Sequence, residues 1–428
     1  MTAGTDGLPS NAPPTAPADG APTPTSPADA EPALPDVPGP DVPSPDAAPD
    51  DGRLRLALAP IAHDTGFSLP TDLAFIAANP GELFMTDRDG GVAHLRLEGD
   101  AVTTLTSFAV PDTWIDGAAG LLGVAVDPNF AENQFFYVSV SISRERNVIR
   151  RYTLHAGDGA ATLASQVDIF DVFGEGAPRW HNIASLGFDE GGVMWAFIGD
   201  KGLFDPAQDP ADPLGSLIRI LPSQTGDMGG YTVPDDQPVF GPDAHPAVFA
   251  KGIRSPWKGR YHEGRWYFGD VGKDDVEEID IVDSPAQNFG WPLAEGPCAE
   301  SCDGFVEPWI WYDRTSSHPF VAEDPEAVPT TNRSVYVGWI RQPADGIPDP
   351  YGGRWNGIMT YGDHYVGFIR ARNLATGEDW HAGHLGYASA WAQGPDGFVY
   401  ASALFGWPPP EEGHAPPGAL YRIVLAGP

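Results

Sequence analysis

One strand-turn-strand unit recurs along most of this chain, and that recurrence restricts the fold more than anything else in the sequence. Each copy is a short apolar run, a turn rich in Gly, Asp or Asn, and a second run with period-two alternation. Such runs are strand signals. The copies begin LAFIAANPGELFMTDRDGG at Leu73, LGVAVDPNFAENQFFYVSV at Leu122, LGFDEGGVMWAFIGDKG at Leu186, SPWKGRYHEGRWYFGDVG at Ser255, NGIMTYGDHYVGFIRARN at Asn356 and SAWAQGPDGFVYASAL at Ser389. No long segment keeps a 3.6-residue period. Six copies joined by long, unequal links predict an all-β fold, a six-bladed β-propeller in which each blade hides its faces against its neighbours. The closing run GALYRIVL is expected to pair with an N-terminal strand and seal the ring. In a propeller the connecting loops gather around a central channel, so chemistry is sought in the inter-blade links.

The repeats do not reach the first 52 residues. Residues 1–52 contain no aromatic residue, no Lys and no Arg, and Pro, Ala and Asp dominate them. Such a stretch buries too little apolar surface to offset chain entropy, so it is read as a disordered spacer, with the propeller over residues 53–428. The whole chain has 24 basic and 59 acidic residues, a formal net charge of −35. That field repels phosphate backbones and anionic lipid and attracts divalent cations. No run approaches the roughly 18 apolar residues of a membrane span. No signal segment is visible, since Met1 leads into polar residues. The spacer suggests an exported domain whose signal is absent from this chain. The two cysteines, Cys298 and Cys302, are spaced to close a small disulfide or to remain free thiols, and they do not complete a zinc site.

Candidate chemistry lies in three links. WHNIASLGFDEGGVMWAFIGDKG places His181 just before a hairpin and Asp200 at its far end. An imidazole suits proton transfer near neutrality, and a carboxylate on its other nitrogen fixes the tautomer. KGIRSP carries Arg254. GDVGKDDVEEIDIV carries Asp274, Asp275, Glu277 and Glu278, either calcium ligands or a solvated charged turn.

Together GLLGVAVDPNFAEN, the His181-to-Asp200 segment, and EEIDIV followed by NFGWP resemble the glucose/sorbosone dehydrogenase family over roughly residues 65–425. That family includes soluble sugar dehydrogenases that use pyrroloquinoline quinone (PQQ), and its fold is a six-bladed propeller. The resemblance implies a general base at His181, its supporting aspartate at Asp200, and an arginine beside the quinone carbonyls at Arg254. It implies cofactor contacts at Arg254, Ser255, Gly272, Lys273 and Arg370. Backbone oxygens of Gly272 and Lys273 would hold a calcium ion, with Glu277 and Glu278 as further acidic ligands. The implied partners are a sugar oxidised at C1 and an external electron acceptor, with no nucleic acid.

The sequence departs from the family pattern in three places. Ser255 replaces an asparagine, Ala118 and Ala119 replace a polar amide, and Tyr387 and Ser389 stand where an R-x-R pair grips the cofactor's carboxylates. Burying carboxylates without paired cations is costly. Arg370 or Arg372 is expected to supply the missing charge, whereas His381 and His384 have no assigned role. The alternative is a non-catalytic carbohydrate- or protein-binding propeller with a structural calcium, in which Trp257, Trp291, Trp309, Trp311, Trp355 and Trp391 offer stacking faces. A calcium-dependent lactone hydrolase on the same scaffold is a weaker third reading.

Overall fold

The computed structural model describes residues 51–225, 229–298, 302, 304–315, 317–341, 346–404 and 418–427. Of the predicted spacer, only Asp51 and Gly52 fall within these ranges.

The chain builds six antiparallel blades around a channel. A first strand, β1 (Leu56–His63), precedes them. Blade one contains β2 (Pro70–Phe75), β3 (Glu82–Asp87), β4 (Gly91–Glu98) and β5 (Ala101–Ala109). Blade two contains β6 (Leu121–Val126), β7 (Phe135–Ser141), β8 (Arg146–Thr153) and β9 (Val167–Phe173). Blade three contains β10 (Ile183–Phe188), β11 (Met194–Ile198) and β12 (Ser216–Pro222), with the short β13 (Tyr231–Thr232) and β14 (Val248–Lys251) both pairing β12. Blade four contains β15 (Pro256–His262), β16 (Arg265–Asp270), β17 (Val276–Val282) and β18 (Ile310–Asp313). Blade five contains β19 (Val335–Ile340), β20 (Ile358–Asp363), β21 (Phe368–Asn373) and β22 (Asp379–His384). Blade six contains β23 (Ala388–Gln393), β24 (Val399–Ala403) and β25 (Ala419–Leu425).

Blade six is completed from the other end of the chain. β1 pairs with β25 from Leu56↔Leu425 to Ile61↔Leu420, so the expected closure by GALYRIVL is present. This pairing completes blade six with a strand from the N-terminal end of the propeller and so closes the ring. The fifth repeat differs from expectation. NGIMTYGDHYVGFIRARN forms β20 and β21, the second and third strands of its blade, and the innermost strand is the buried VYVGWI. The link between Ile340 and Ile358, closed by an Arg341↔Asn356 bridge, separates this strand from the hairpin and hides the repeat.

Aromatic side chains fill the spaces between blades. Phe84 stacks on Phe136 at 4.2 Å across blades one and two, and Phe197 meets Phe268 at 4.6 Å across blades three and four. Trp355 and Trp391 are fully buried and belong to this packing. By contrast, Trp311 is 45% exposed on the outermost strand of blade four.

All six innermost strands carry a β-bulge against their neighbour, at Pro70/Asp72, Leu121/Gly123, Ile183/Ser185, Trp257/Gly259, Val337/Ile340 and Ala388/Ala390. A bulge re-aims side chains and frees backbone oxygens. Lys258 uses both effects. It is buried at φ +43°, and its Nζ donates to Leu122 O at 2.9 Å and Ala184 O at 3.2 Å in blades two and three. Its counter-charge, Asp72 of blade one, lies 3.6 Å away and accepts from Val124 N at 3.0 Å. Two residues on, Arg260 donates to Gly338 O at 2.9 Å in blade five and to Trp391 O in blade six. One strand of blade four thus ties all the other blades together along the axis.

Cys298 and Cys302 form a disulfide in the link between β17 and β18. Phe305, from the same link, packs on Gly290 beside Trp291. Loop-closure entropy for so short a ring predicts a loss of about 2 kcal/mol in Cys298→Ser. A urea melt under non-reducing conditions checks this value.

Candidate active site

The β10–β11 hairpin explains why a histidine before one strand and an aspartate after the other belong together. Ile183 pairs with Ile198, so continuing the register sets His181 opposite Asp200. The approach is close. A Cβ on Gly199 would come within 2.6 Å of His181 O, so glycine is required there. His181 itself sits at φ +53°, a left-handed conformation uncommon outside glycine and enriched at functional sites.

His181 Nδ1 lies 2.5 Å from Asp200 Oδ1. That oxygen also accepts Gly202 N at 2.6 Å, and Oδ2 accepts Trp291 Nε1 at 2.7 Å. Asp200 is fully buried. Burial pushes its carboxyl up, but the hydrogen bonds from His181, Gly202 and Trp291 outweigh this and hold it below the ordinary carboxylate value. For His181, burial is the main cause of a pKa below the ordinary imidazole value. Asp200 works against that shift, while Arg254 and Lys201 reinforce it. The product is a neutral imidazole with Nδ1 occupied and Nε2 without a hydrogen-bond partner among the described residues. It is 13% exposed.

Asn182, which follows His181, fastens the neighbouring loops. Its Nδ2 donates to Ala118 O at 3.1 Å, and its Oδ1 accepts Lys201 Nζ at 2.8 Å. Trp180 remains 42% exposed at the rim, with the Arg179 guanidinium over its ring at 4.8 Å. Beside it, at the channel mouth, opens a cavity of about 240 Å³ whose walls include Thr71, Arg88, Ala118, Leu122, Trp180, Trp257, Tyr365 and Tyr387. Trp257 presents a buried Nε1 with no hydrogen-bond partner.

Arg254 joins this assembly through its backbone and its side chain. Its carbonyl accepts Asp200 N at 2.9 Å, and its guanidinium lies 5.1 Å over the Trp291 ring. Nη1 donates to Val271 O and to Gly272 O at 2.9 Å, while Nε is buried and unpartnered. Ser255 donates only its backbone N–H among the described contacts, to Asp270 Oδ1 at 2.6 Å.

The acidic loop is organised differently from the expected ligand set. Gly272 O already accepts from both Arg254 and Arg314, and Arg314 is paired with the fully buried Glu277. Glu277 also accepts Val335 N at 2.9 Å. Glu295 Oε1 gathers the N–H groups of Lys273, Asp274 and Asp275 at 2.7–3.1 Å. Glu278 lies on the opposite face of β17. It has no cationic partner among the described residues, and it lines a cavity of about 10 Å³ with Asp270, Phe289 and Trp291. Burial, with the Asp270 charge beside it, pushes Glu278 up to about 8. Burial likewise raises Asp270 to about 7.

Arg370 stands apart from this assembly. It is buried on β21 between Glu323 at 2.7 Å and Asp379 at 2.6 Å, so its charge is already matched. Arg372 lies over Trp309 at 4.6 Å, away from the mouth cavity. His381 and His384 flank the buried Asp324, at 3.5 and 2.7 Å, on the outermost strand of blade five. Ser389 donates to Pro70 O at 2.6 Å and knits blades six and one, whereas Tyr387 lines the cavity. Sequence reasoning missed Arg88, Asn182, Lys201, Glu295 and Arg314. Asn182 and Lys201 adjoin His181 and Asp200 in the quoted hairpin segment, whereas Arg88, Glu295 and Arg314 come from other links and bear no local motif.

Residues 67–317 match the glucose/sorbosone dehydrogenase family. The chain belongs to that family. The family match covers every residue of the His181–Asp200–Trp291 assembly. Among curated relatives, the HIPL1 protein of Arabidopsis thaliana is 25% identical over 281 residues, covering 52% of this chain and 40% of that protein. The aldose sugar dehydrogenase YliI of Escherichia coli (strain K12) is 29% identical over 235 residues, covering 53% of this chain and 59% of that protein. The chain therefore spans between 40% and 59% of the length of these two relatives. In fold it is similar to the PQQ-bound aldose sugar dehydrogenase of Streptomyces coelicolor, with a TM-score of 0.63 and 19% identity over 88% of this chain and 99% of that one.

Proposed function

We propose that this family member oxidises an aldose or related polyhydroxy compound at C1, with PQQ as the hydride acceptor and an external acceptor removing the electrons. The observation that carries this reading is the His181–Asp200–Trp291 relay beside an aromatic cavity at the channel mouth. His181 Nε2 is the proton-accepting atom. Asp200 holds the tautomer and stabilises the imidazolium as it forms. Trp291 keeps the second carboxylate oxygen occupied, so Asp200 stays ionised and fixed. Trp180, exposed next to the base, offers a face for a sugar ring.

PQQ, when bound, supplies a quinone that accepts hydride. The cavity suits such a group: its wall mixes aromatic and aliphatic side chains, and Trp257 Nε1 on that wall is a buried donor without an acceptor. The Gly272 carbonyl and Glu277 are occupied by guanidinium groups, so a calcium ion does not fit there. Glu278 borders a space sized for one water or ion, but the Arg254 guanidinium lines the same space and burial favours the neutral form of its carboxyl. The disulfide supports an exported, oxidising location. Among the described residues no helix is long and apolar enough to cross a membrane.

The pH profile gives a test. The base works only when unprotonated, and its pKa lies below the ordinary 6.5. The acid limb of kcat/KM, which reports the free enzyme, is therefore expected below pH 6.5, with a plateau above it. An acid limb above that value contradicts the assignment. The alternative, a non-catalytic binding propeller, is favoured by Tyr387 and Ser389 at the expected arginine positions, and it predicts a folded protein that does not bind PQQ.

A further inference from the structure

We propose that Arg88 is the anion anchor of the mouth cavity, holding a carboxylate of a flat aromatic ligand with help from the Tyr365 hydroxyl. This rests on the PQQ reading and assigns that cofactor a contact on blade one.

Arg88 follows β3 directly and is half-buried. Its guanidinium is fixed on one side only. Nε donates to Ala119 O at 3.1 Å, and Nη2 donates to Gly117 O at 2.6 Å. Nη1 has no partner among the described residues, and no carboxylate pairs with the group. The nearby acids are otherwise engaged: Asp87 accepts Leu69 N and Asp89 N, and Asp116 is paired with Arg179. This guanidinium lines the mouth cavity.

The surrounding backbone is shaped to the arginine. A Cβ on Gly120 would come within 2.5 Å of Arg88 O and 2.7 Å of Arg88 Cγ, so only glycine permits this approach. Two carbonyls thus aim a rigid fork, and the remaining edge is free to meet a planar carboxylate. The rest of the wall mixes aliphatic and aromatic groups. His364, Tyr365 and Tyr387 meet edge to face with centroids 4.9–6.3 Å apart, and Trp257 is 6.0 Å from His364. The Tyr365 hydroxyl has no hydrogen-bond partner among the described residues. It feels the Arg88 charge, which draws its pKa down against the rise caused by burial. An apolar slot with a few convergent donors at one place selects a flat apolar body with an anionic edge. PQQ, with three carboxylates on a fused aromatic frame, has that form. The slot thereby replaces one cation that Tyr387 and Ser389 do not provide.

The test is a PQQ titration followed by quenching of tryptophan fluorescence, in wild type, Arg88→Met, Arg88→Lys and Tyr365→Phe. Circular dichroism confirms folding of each variant. Losing a charge-assisted contact predicts about 10- to 100-fold weaker binding in Arg88→Met. A smaller loss is expected in Arg88→Lys, which keeps the charge but not the fork. Wild-type affinity is also expected to fall more steeply with added salt than that of Arg88→Met. If Arg88→Met does not fold, Arg88→Lys alone decides, with unchanged affinity overturning the proposal. Equal binding by wild type and Arg88→Met overturns the role of Arg88 and leaves the PQQ reading standing. Absence of binding in folded wild type overturns both.

Discussion

Replacing His181 with alanine is expected to lower kcat by about 10²- to 10⁴-fold while PQQ still binds, since general base catalysis typically contributes that much. The imidazole makes its described hydrogen bond through Nδ1, to Asp200, and leaves Nε2 for the substrate hydroxyl. Its removal takes away the proton acceptor without touching the aromatic walls of the cavity. Asp200→Asn is the sharper companion. It keeps shape and leaves Trp291 in place, but it removes the charge that sets the tautomer. It is expected to cost kcat far more than KM. Steady-state kinetics with a redox dye, paired with PQQ titration, separate the two effects. Full turnover in His181→Ala would remove the histidine from the mechanism.

The second large effect concerns the axis. Asp72→Ala is expected to destabilise the fold by about 3–5 kcal/mol, because it strips the counter-charge from buried Lys258 and Arg260. Burial already lowers the Lys258 ammonium to about 8, with Arg260 adding to the shift and Asp72 opposing it. Without Asp72 the two cations keep only backbone carbonyls and the rings of Trp257 and Trp339. Adding Lys258→Met to Asp72→Ala is expected to recover part of the loss, since the double variant no longer buries that unpaired ammonium. Urea unfolding midpoints measure both. A single variant within about 0.5 kcal/mol of wild type, the range of an ordinary surface change, would show that the Asp72–Lys258–Arg260 cluster contributes little.

Particular residues show how far the sequence could be read. The number of blades and the closing strand were legible because alternating runs and Gly/Asp turns are local. The His181–Asp200 pairing was legible for the same reason: a hairpin register joins positions a few strand residues apart. The innermost strand of blade five was not, because VYVGWI is buried except at Trp339, so it shows no alternation, and a long link separates it from β20. Glu277 and Glu278 look equivalent in the sequence, yet adjacent strand residues face opposite ways. One meets Arg314 and the other meets Asp270. Arg370 was expected near the cofactor but is held between two carboxylates on the third strand of its blade. Lys258 reads as an ordinary surface lysine, and only the bulge at Trp257/Gly259 turns it into the channel. Arg88 and Trp291 approach the mouth from distant parts of the chain, and only the closed ring brings them together.

The most direct test of the central claim is a single-turnover reaction of the PQQ-loaded protein with an aldose under anaerobic conditions, followed by the absorption of the oxidised cofactor. The account predicts rapid, stoichiometric bleaching in wild type and bleaching slowed by about 10²- to 10⁴-fold in His181→Ala at equal cofactor loading. No bleaching in loaded wild type across a panel of aldoses, or equal rates in the two proteins, would contradict it.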